Sequence, residues 1–278
     1  MTSRVRVNGL EVAYTSIGRG SSLVLLHGGM DDLRSWRRQL DGLSDEFSVV
    51  AWDAPGCGES SEPPITWRIH DFADCLAGWL AAIGIDRPHV LGLSWGSTVA
   101  LELVHRHPDV PASLILVSPY AGWAGSLPAD EVADRLDRVL AAADLSADAI
   151  IREGLPGLLS ESTPAEVVAE VSMISAANNG RAHPAGYRAI AHSMAEADLR
   201  ESLPAITTPT LVIHGELDQR APYAVAARLH ERIPSSELAV IPNAGHLCNV
   251  EMPAEFNRLV REFIHSLDES DRIPLDEI

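Results

Sequence analysis

The stretch Pro88-His89-Val90-Leu91-Gly92-Leu93-Ser94-Trp95-Gly96 decides the fold, because an apolar run leads directly into a G-x-S-x-G pentapeptide. The residues that follow, 97–103, have the composition of a helix. A strand, a tight turn that carries a serine, and a helix are the sequence form of a nucleophile elbow. Side chains at the outer positions of so tight a turn would collide with the backbone, so glycine is needed there. The pattern predicts that the Ser94 hydroxyl projects from the sheet edge.

Elsewhere in the chain, short apolar runs alternate with segments of helical periodicity. We predict strands at residues 4–8, 10–17, 22–27, 47–52, 88–93, 112–117, 209–215 and 237–241, and helices at residues 32–43, 71–83, 97–107, 223–232 and 254–267. Strands that alternate with helices of this length form a parallel sheet with helices on both faces. The pair Asn8-Gly9 predicts a hairpin that adds antiparallel strands at one edge. The predicted fold class is therefore α/β, with a mostly parallel, doubly wound sheet.

The alternation stops between about residues 121 and 203. Only helical pieces, at residues 131–143, 164–177 and 186–199, are predicted in this interval. Long insertions at the edge of a sheet usually serve binding. We therefore expect a core domain formed by residues 1–120 and 204–278, and an inserted helical cap, or lid, formed by residues 121–203.

Composition and charge exclude several classes of function. The net charge of -18 leaves no basic patch for a nucleic-acid partner. The cysteines Cys57, Cys75 and Cys248 are an odd number without C-x-x-C spacing, which argues against a disulfide framework and against a zinc site. The sequence has no apolar run that could span a bilayer, and it opens into a strand rather than a signal peptide. We expect a cytoplasmic protein without a membrane partner, and the oligomeric state stays open.

Hydrolysis by a serine needs a base for the hydroxyl proton and a carboxylate that orients this base. In parallel sheets such groups collect at the carboxyl ends of the strands. Asp218 follows the strand predicted at residues 209–215, and Glu216 in the same loop is its rival. His246 lies in the loop after the last predicted strand. The chain order Ser94, Asp218, His246 is expected when the serine sits on an elbow, so these residues are the predicted catalytic triad.

The oxyanion that forms during such a reaction needs hydrogen-bond donors. His27-Gly28-Gly29-Met30 follows the strand predicted at residues 22–27, and its glycines let the backbone approach a substrate closely. We predict that the backbone N–H groups of Gly29 and Trp95 form the oxyanion hole. Met30 replaces Gly29 as donor if the loop is shifted by one residue.

Five motifs in one order give the chain a resemblance to α/β-hydrolase fold enzymes, over about residues 4–267. They are His27-Gly28-Gly29, the loop Asp53-Ala54-Pro55-Gly56-Cys57-Gly58-Glu59-Ser60, the elbow around Ser94, Gly215-Glu216-Leu217-Asp218, and Gly245-His246. The resemblance implies that Asp53 is architectural and that His27 braces the oxyanion loop. It also implies that His246 takes the proton of Ser94, that Asp218 holds the imidazole, and that water releases an acyl-enzyme. Neither a cofactor nor a metal is needed for this chemistry.

The same resemblance leaves the substrate open. A serine at the elbow argues against the dehalogenases and epoxide hydrolases of this fold, which form an ester on a carboxylate. We expect hydrolysis of a carboxylic ester or lactone of a small molecule. The alternative is a proline iminopeptidase-like aminopeptidase, because the Ser-Trp-Gly-Ser elbow is similar to that family, although the loops at Met30-Asp31 and Asp53 depart from it. A second alternative is a non-hydrolytic member of the fold that binds a ligand or catalyses a cyclisation.

The choice of substrate is expected to lie in the cap, where the sequence is least informative. Residues predicted to line the substrate pocket are Met30, Trp123, Tyr187 and Leu247. A cap carboxylate such as Glu166, Glu170 or Glu196 would read a substrate amine and would favour the peptidase.

Overall fold

The computed structural model describes residues 2–154 and 156–270. The strands in these ranges are β1 (Ser3–Val7), β2 (Leu10–Ile17), β3 (Ser22–Leu26), β4 (Ser48–Trp52), β5 (His89–Leu93), β6 (Ser113–Val117), β7 (Thr210–Gly215) and β8 (Ser236–Ile241). The α-helices are α1 (Arg37–Leu43), α2 (Ile69–Ala82), α3 (Trp95–Arg106), α4 (Ala129–Ala142), α5 (Ala147–Gly154), α6 (Ala165–Ala177), α7 (Pro184–Glu196), α8 (Tyr223–Arg232), α9 (Cys248–Glu251) and α10 (Pro253–Ser270). Short 3-10 helices span Leu33–Trp36 and Leu203–Ala205.

All of these strands form one sheet in the order β1-β2-β4-β3-β5-β6-β7-β8. The first two strands are antiparallel and join through Asn8 and Gly9, whose φ angles of 50° and 88° are those of a type I′ turn. β2 is antiparallel to β4, and every other neighbouring pair is parallel. The predicted fold class, α/β with a mostly parallel sheet wound on both faces, is confirmed.

The sheet separates two apolar clusters, because successive side chains of a strand point to opposite faces. Val24 and Leu26 of β3 belong to the cluster that also contains residues of α2, α3 and α8. Leu23 and Leu25 belong to the cluster that contains residues of α1 and α10. All four side chains are fully buried, as expected for a strand covered on both faces. The sheet is therefore a rigid platform for the loops at the carboxyl ends of its strands.

Two helices differ from the sequence prediction in informative ways. The helix predicted at residues 32–43 is divided into the 3-10 helix Leu33–Trp36 and α1. Helix α5 was missed, although Ser146 gives a signal for it. The Ser146 hydroxyl accepts a hydrogen bond from the N–H of Ala149 at 3.3 Å, as an N-cap residue does.

Helices α4 to α7 lie between β6 and β7 in the chain, where the insertion was expected. They do not form a separate core, since Ile190 and Met194 of α7 belong to the same apolar cluster as α2 and α3. The division into residues 1–120 with 204–278 and residues 121–203 stays a prediction. Residues 1, 155 and 271–278 of that division lie outside the described residues. Within the described part, no helix has the length and apolar character needed to cross a membrane.

Candidate active site

Ser94 occupies the junction of β5 and α3 and has a strained backbone. Its φ is 53° and its ψ is -111°, a conformation that L-residues rarely adopt and that costs of order 1–3 kcal/mol. A Cβ atom on Gly92 would lie 2.2 Å from the carbonyl oxygen of Gly96, and one on Gly96 would lie 2.3 Å from that of Leu26. Glycine at both positions therefore allows the close approach of backbones that forms the turn.

The predicted oxyanion loop lies beside the elbow. Gly28, Gly29 and Met30 line the same cavity as Ser94. Met30 has a φ of 58°, so the chain turns sharply directly after Gly29. Trp95 is the first residue of α3, and N–H groups in the first turn of a helix have no partner inside the helix. The structure thus brings both predicted donor segments to one place, and the choice between Gly29 and Met30 stays a prediction.

His27 connects the oxyanion loop to the loop that follows β4. Its Nε2 accepts a hydrogen bond from the N–H of Ala54 at 3.0 Å, and its Nδ1 lies 2.7 Å from the carbonyl oxygen of Gly28. Nδ1 therefore carries the hydrogen in a neutral ring. Burial lowers the pKa of His27 and favours this neutral form, against smaller opposing effects of Gly28 and Asp32.

Asp53, in the loop after β4, also links the loops at this edge of the sheet. Its Oδ1 accepts the N–H of Leu33 at 2.9 Å, and its Oδ2 accepts the N–H of Glu59 at 2.8 Å. Gly58 packs so closely that a Cβ atom there would lie 2.3 Å from the Asp53 carboxylate. Burial raises the pKa of Asp53 to about 7, and the two backbone donors only partly offset this effect. These contacts fit an architectural carboxyl group.

An acid–base pair forms between the loops after β7 and β8. The Nδ1 atom of His246 lies 2.8 Å from Oδ2 of Asp218. The other carboxylate oxygen, Oδ1, accepts the N–H groups of Arg220 at 2.8 Å and Ala221 at 2.9 Å. The rival Glu216 accepts the N–H of Asn243 instead and is exposed. Of the two candidate acids, the structure brings Asp218 to His246.

Electrostatic interactions keep the Asp218 side chain ionised, the form that orients the imidazole of His246. Burial alone would raise the pKa of Asp218, but the charge of His246 and its hydrogen bond, with that of the Ala221 N–H, hold the pKa below its usual value. Asp218 therefore stays a carboxylate at neutral pH. With a carboxylate on Nδ1, the hydrogen of a neutral His246 ring is held there and Nε2 is left as a proton acceptor.

The insertion contacts the loop that carries His246. The N–H of His246 donates to the carbonyl oxygen of Leu158 at 3.1 Å. One oxygen of Glu251 accepts the N–H of Gly245 at 2.8 Å, and the other accepts the N–H of Ser160 at 2.9 Å. The segment before α6 therefore helps to fix the position of the imidazole.

A small cavity of about 60 Å³ lies against Ser94 and His246. Its other lining residues are Gly28, Gly29, Met30, Asp31, Ser35, Leu93, Leu158, Val171, Ile174, Ser175 and Leu247. Met30 and Leu247, two of the residues predicted for the substrate pocket, are among them, and their contact with a substrate stays a prediction. Trp123 and Tyr187 do not line this cavity.

Both aromatic residues are instead used in packing. The Trp123 side chain belongs to the large apolar cluster, and the backbone N–H of Trp123 donates to the carbonyl oxygen of Met194 at 2.8 Å. The Tyr187 hydroxyl donates to the carbonyl oxygen of Val139 at 3.1 Å, which joins α7 to α4. Large aromatic side chains on amphipathic segments are buried wherever apolar area is available, and here that is between helices.

Several residues that line the cavity were not predicted from the sequence. Val171 and Ile174 are three positions apart on α6, the spacing of one helix face. Apolar residues are spread around this helix, however, so no amphipathic pattern singled out the face that lines the cavity. Asp31 directly follows the oxyanion loop and was named only as a departure from a family pattern. Its neighbour Asp32 faces away from the cavity, and only the fold distinguishes the two acids.

No group of three or more metal-binding side chains is assembled in the part of the chain that the structure describes. The three cysteines are buried and free. The polar groups at the cavity include types that acyl-transfer chemistry uses, a serine on an elbow and the imidazole of a carboxylate–imidazole pair.

Comparison with known proteins places these features in a family context. The sequence model of the family described as alpha/beta hydrolase fold matches residues 22–253. The chain is 28% identical over 259 residues to a pimeloyl-[acyl-carrier protein] methyl ester esterase of Aeromonas hydrophila, covering 92% of this chain and 100% of the relative. It is also 28% identical over 249 residues to 3-oxoadipate enol-lactonase 2 of Acinetobacter baylyi, covering 89% of this chain and 90% of the relative.

Among solved structures, the fold is similar to that of a thermophilic esterase from Thermogutta terrifontis. The TM-score is 0.86 at 29% sequence identity, covering 96% of this chain and 98% of the esterase chain. The similarity includes nearly the whole chain, so the insertion has a counterpart of similar extent in that protein.

Proposed function

The chain belongs to the alpha/beta hydrolase fold family and is a hydrolase, and from this premise we propose that it cleaves a carboxylic ester or lactone of a small molecule through an acyl-enzyme on Ser94. The observation that carries the proposal is the hydrogen bond of 2.8 Å between His246 and Asp218, at a cavity that Ser94 also lines. The names of the relatives, esterase and enol-lactonase, support the same reaction type.

In the first half of the proposed reaction, Ser94 attacks the carbonyl carbon of the substrate while His246 takes the hydroxyl proton. No hydrogen bond joins the two side chains in the described structure. Such contacts are often long without substrate and tighten when it binds. Asp218 keeps the ring in the tautomer that accepts at Nε2 and stabilises the imidazolium.

The negative charge that develops on the carbonyl oxygen is met by the N–H groups of Gly29 and Trp95. Loss of one such donor typically costs about 3–4 kcal/mol of transition-state stabilisation. His246 then gives its proton to the leaving alcohol. Water attacks the acyl-enzyme with His246 again as base, which releases the acid and restores Ser94.

The size of the cavity supports a small substrate. A volume of about 60 Å³ exceeds by only a few times the roughly 10–15 Å³ that one water molecule needs on this measure. Leu158, Val171 and Ile174 of the insertion form an apolar side of the cavity. We propose that residues 121–203 act as a cap, and that these side chains limit the length of the group that binds.

A kinetic panel tests this proposal. Aryl esters of increasing acyl length, lactones and proline arylamides are given to the wild type and to Ser94→Ala. We expect turnover of short esters or lactones by the wild type and none by Ser94→Ala. Preferred cleavage of the proline arylamides would replace the proposal by the aminopeptidase alternative. An intact protein that turns over no ester, lactone or amide would contradict it in favour of a non-hydrolytic role.

A further inference from the structure

Asp31 is a carboxyl group inside the cavity that the proposed mechanism does not use. It is half-buried and lines the same space as Ser94 and His246. Its Oδ1 accepts a hydrogen bond, at 2.8 Å, from the N–H of Asp32, and the Ser35 hydroxyl is a second partner of the carboxylate. Within residues 2–154 and 156–270, no arginine or histidine forms a direct ion pair with it, and the charge of the nearby Arg34 offsets its own only in part.

The neighbouring acid, Asp32, differs from Asp31 because side chains of the protein pair with its carboxylate. Asp32 accepts hydrogen bonds from the Arg34 guanidinium and from the Asn178 side chain, both at 2.6 Å. Its side chain is only 2% exposed. The protein thus satisfies Asp32 internally and leaves the adjacent carboxyl group to the cavity.

The surroundings of Asp31 favour the binding of a positively charged group. The cavity is small, and Leu158, Val171, Ile174 and Leu247 line it with apolar surface. Burial, followed by the charge of Asp32, raises the pKa of Asp31 to about 7. A carboxylate so poorly solvated attracts a cation more strongly than one in water does, and it repels an anion.

We propose that Asp31 determines specificity, by selecting small esters or lactones that carry an ammonium group near the scissile carbonyl over neutral and carboxylate-bearing ones. This inference rests on the proposed function and adds a substrate class to it. The ammonium group binds at Asp31 beside the oxyanion loop, while the carbon chain contacts the apolar side of the cavity. Because Ser94 and Asp31 line one cavity of about 60 Å³, the selected substrates are compact ones.

Three matched methyl esters test the inference. β-Alanine methyl ester carries an ammonium group at about pH 8, methyl butanoate is its neutral counterpart of similar shape, and monomethyl succinate carries a carboxylate. The readout is the ratio of kcat/KM values between esters, measured for each variant by methanol release. Ratios within one variant cancel any general loss of activity.

The variants are chosen so that the loop keeps its hydrogen bond. Asp31→Asn and Asp31→Ser remove the charge but retain an acceptor for the Asp32 N–H. Asp137→Asn makes the same chemical change at an exposed position on α4, away from the cavity, and is the matched control. Thermal unfolding of each variant shows whether it is folded.

We expect the wild type and Asp137→Asn to prefer the β-alanine ester to methyl butanoate by about tenfold. Both Asp31 variants should bring this ratio close to unity and should raise the relative rate with monomethyl succinate. A preference that is absent from the wild type, or unchanged in both Asp31 variants, would overturn the inference.

A binding measurement separates this result from failure of the proposed function. In the Ser94→Ala background, β-alaninamide and butanamide are compared by ligand-observed NMR, with and without Asp31→Asn. Tighter binding of β-alaninamide that depends on Asp31 supports the inference even if no ester is turned over. Equal binding of the two amides overturns it, whatever the outcome of the kinetic panel.

Discussion

Asp218 and His246 lie 28 positions apart in the chain, yet Oδ2 of the first is 2.8 Å from Nδ1 of the second. The two loops meet because β7 and β8 are parallel neighbours and end at the same edge of the sheet. Two backbone N–H groups hold the other oxygen of Asp218, so its carboxylate has little freedom to turn away. The pair is therefore a fixed feature of the fold.

Replacing this carboxylate by an amide should lower the rate of ester cleavage severely. In Asp218→Asn the side chain retains its shape but favours the wrong imidazole tautomer, and kcat should fall roughly 10⁴-fold. Glu216→Gln is the control, because Glu216 contacts Asn243 and not His246. Equal losses in the two variants, measured as kcat for a short aryl ester, would argue that Asp218 has no special role.

The apolar side of the cavity should determine which acyl chain lengths the enzyme prefers in its ester substrates. Ile174→Ala removes three carbons from a lining position that is 5% exposed, so longer acyl groups gain room. We expect the ratio of kcat/KM for a hexanoyl ester to that for an acetyl ester to rise about tenfold. This corresponds to about 1.4 kcal/mol, within the transfer free energy of two methylene groups.

The matched control lies on the same helix. Val168 is half-buried and does not line the cavity, so Val168→Ala should leave the chain-length preference as it is. A preference that stays constant in Ile174→Ala, provided that the variant remains folded, would contradict the assignment of this side of the cavity.

Asn178 connects the insertion to two loops of the sheet edge. Its Nδ2 donates to Asp32 at 2.6 Å, and its Oδ1 accepts the N–H of Gly58 at 2.9 Å. Asn178→Ala removes a buried hydrogen-bond partner from the Asp32 carboxylate and from the Gly58 N–H. The free energy of unfolding should fall by about 1–3 kcal/mol, together with kcat/KM because Asp32 adjoins the oxyanion loop.

Asn179→Ala provides the comparison for this prediction. Asn179 accepts the N–H groups of Arg181 and Ala182 in its own turn, and among the described residues it forms no hydrogen bond to the sheet-edge loops. Its loss should affect unfolding without a matching change in kcat/KM. The measurements are thermal unfolding and esterase activity of both variants. An unchanged unfolding temperature in Asn178→Ala would show that Asn178 does not stabilise the contact between the insertion and the sheet-edge loops.

The selectivity inferred for Asp31 should depend on pH. Asp31 has a pKa raised to about 7, so it is a carboxylate above this pH and a neutral acid below it. The preference for an ammonium ester over its neutral counterpart should therefore be present above about pH 7 and should decline as the pH falls. The charged or titratable groups around Asp31 are Asp32 and Arg34 in its own loop and His246 across the cavity.

The ratio of the kcat/KM values for the two esters makes this measurement specific to the charge of the substrate. Any change of rate with pH that is common to both esters cancels in the ratio, and α6 contributes only Val171, Ile174 and Ser175 to the cavity. A ratio that stays flat from about pH 6 to 8 would show that Asp31 does not sense the substrate charge.

The sequence predicted those parts of the molecule that local constraints determine. The elbow was predictable because only glycine tolerates the contacts at positions 92 and 96. The parallel sheet followed from the alternation of apolar runs and helices. Asp218 and His246 became candidates because each follows the end of a strand, although nothing local shows that the two side chains meet.

The lining of the cavity was much less predictable, because it depends on how the inserted helices pack on the sheet. Trp123 and Tyr187 were expected at the pocket but are used between helices, where more apolar area is available. Asp31 and Asp32 are adjacent and chemically identical in the sequence. Only the positions of Arg34 and Asn178 determine that Asp32 is satisfied internally and Asp31 is not.

The central claim is that Ser94 forms the acyl-enzyme, and its most direct test is peptide mass spectrometry of the protein quenched during turnover of an activated ester. The account predicts that the mass of the acyl group is added to Ser94 and that neither the adduct nor turnover appears in Ser94→Ala. An acyl group found on another residue, or ester cleavage that continues in Ser94→Ala, would contradict it.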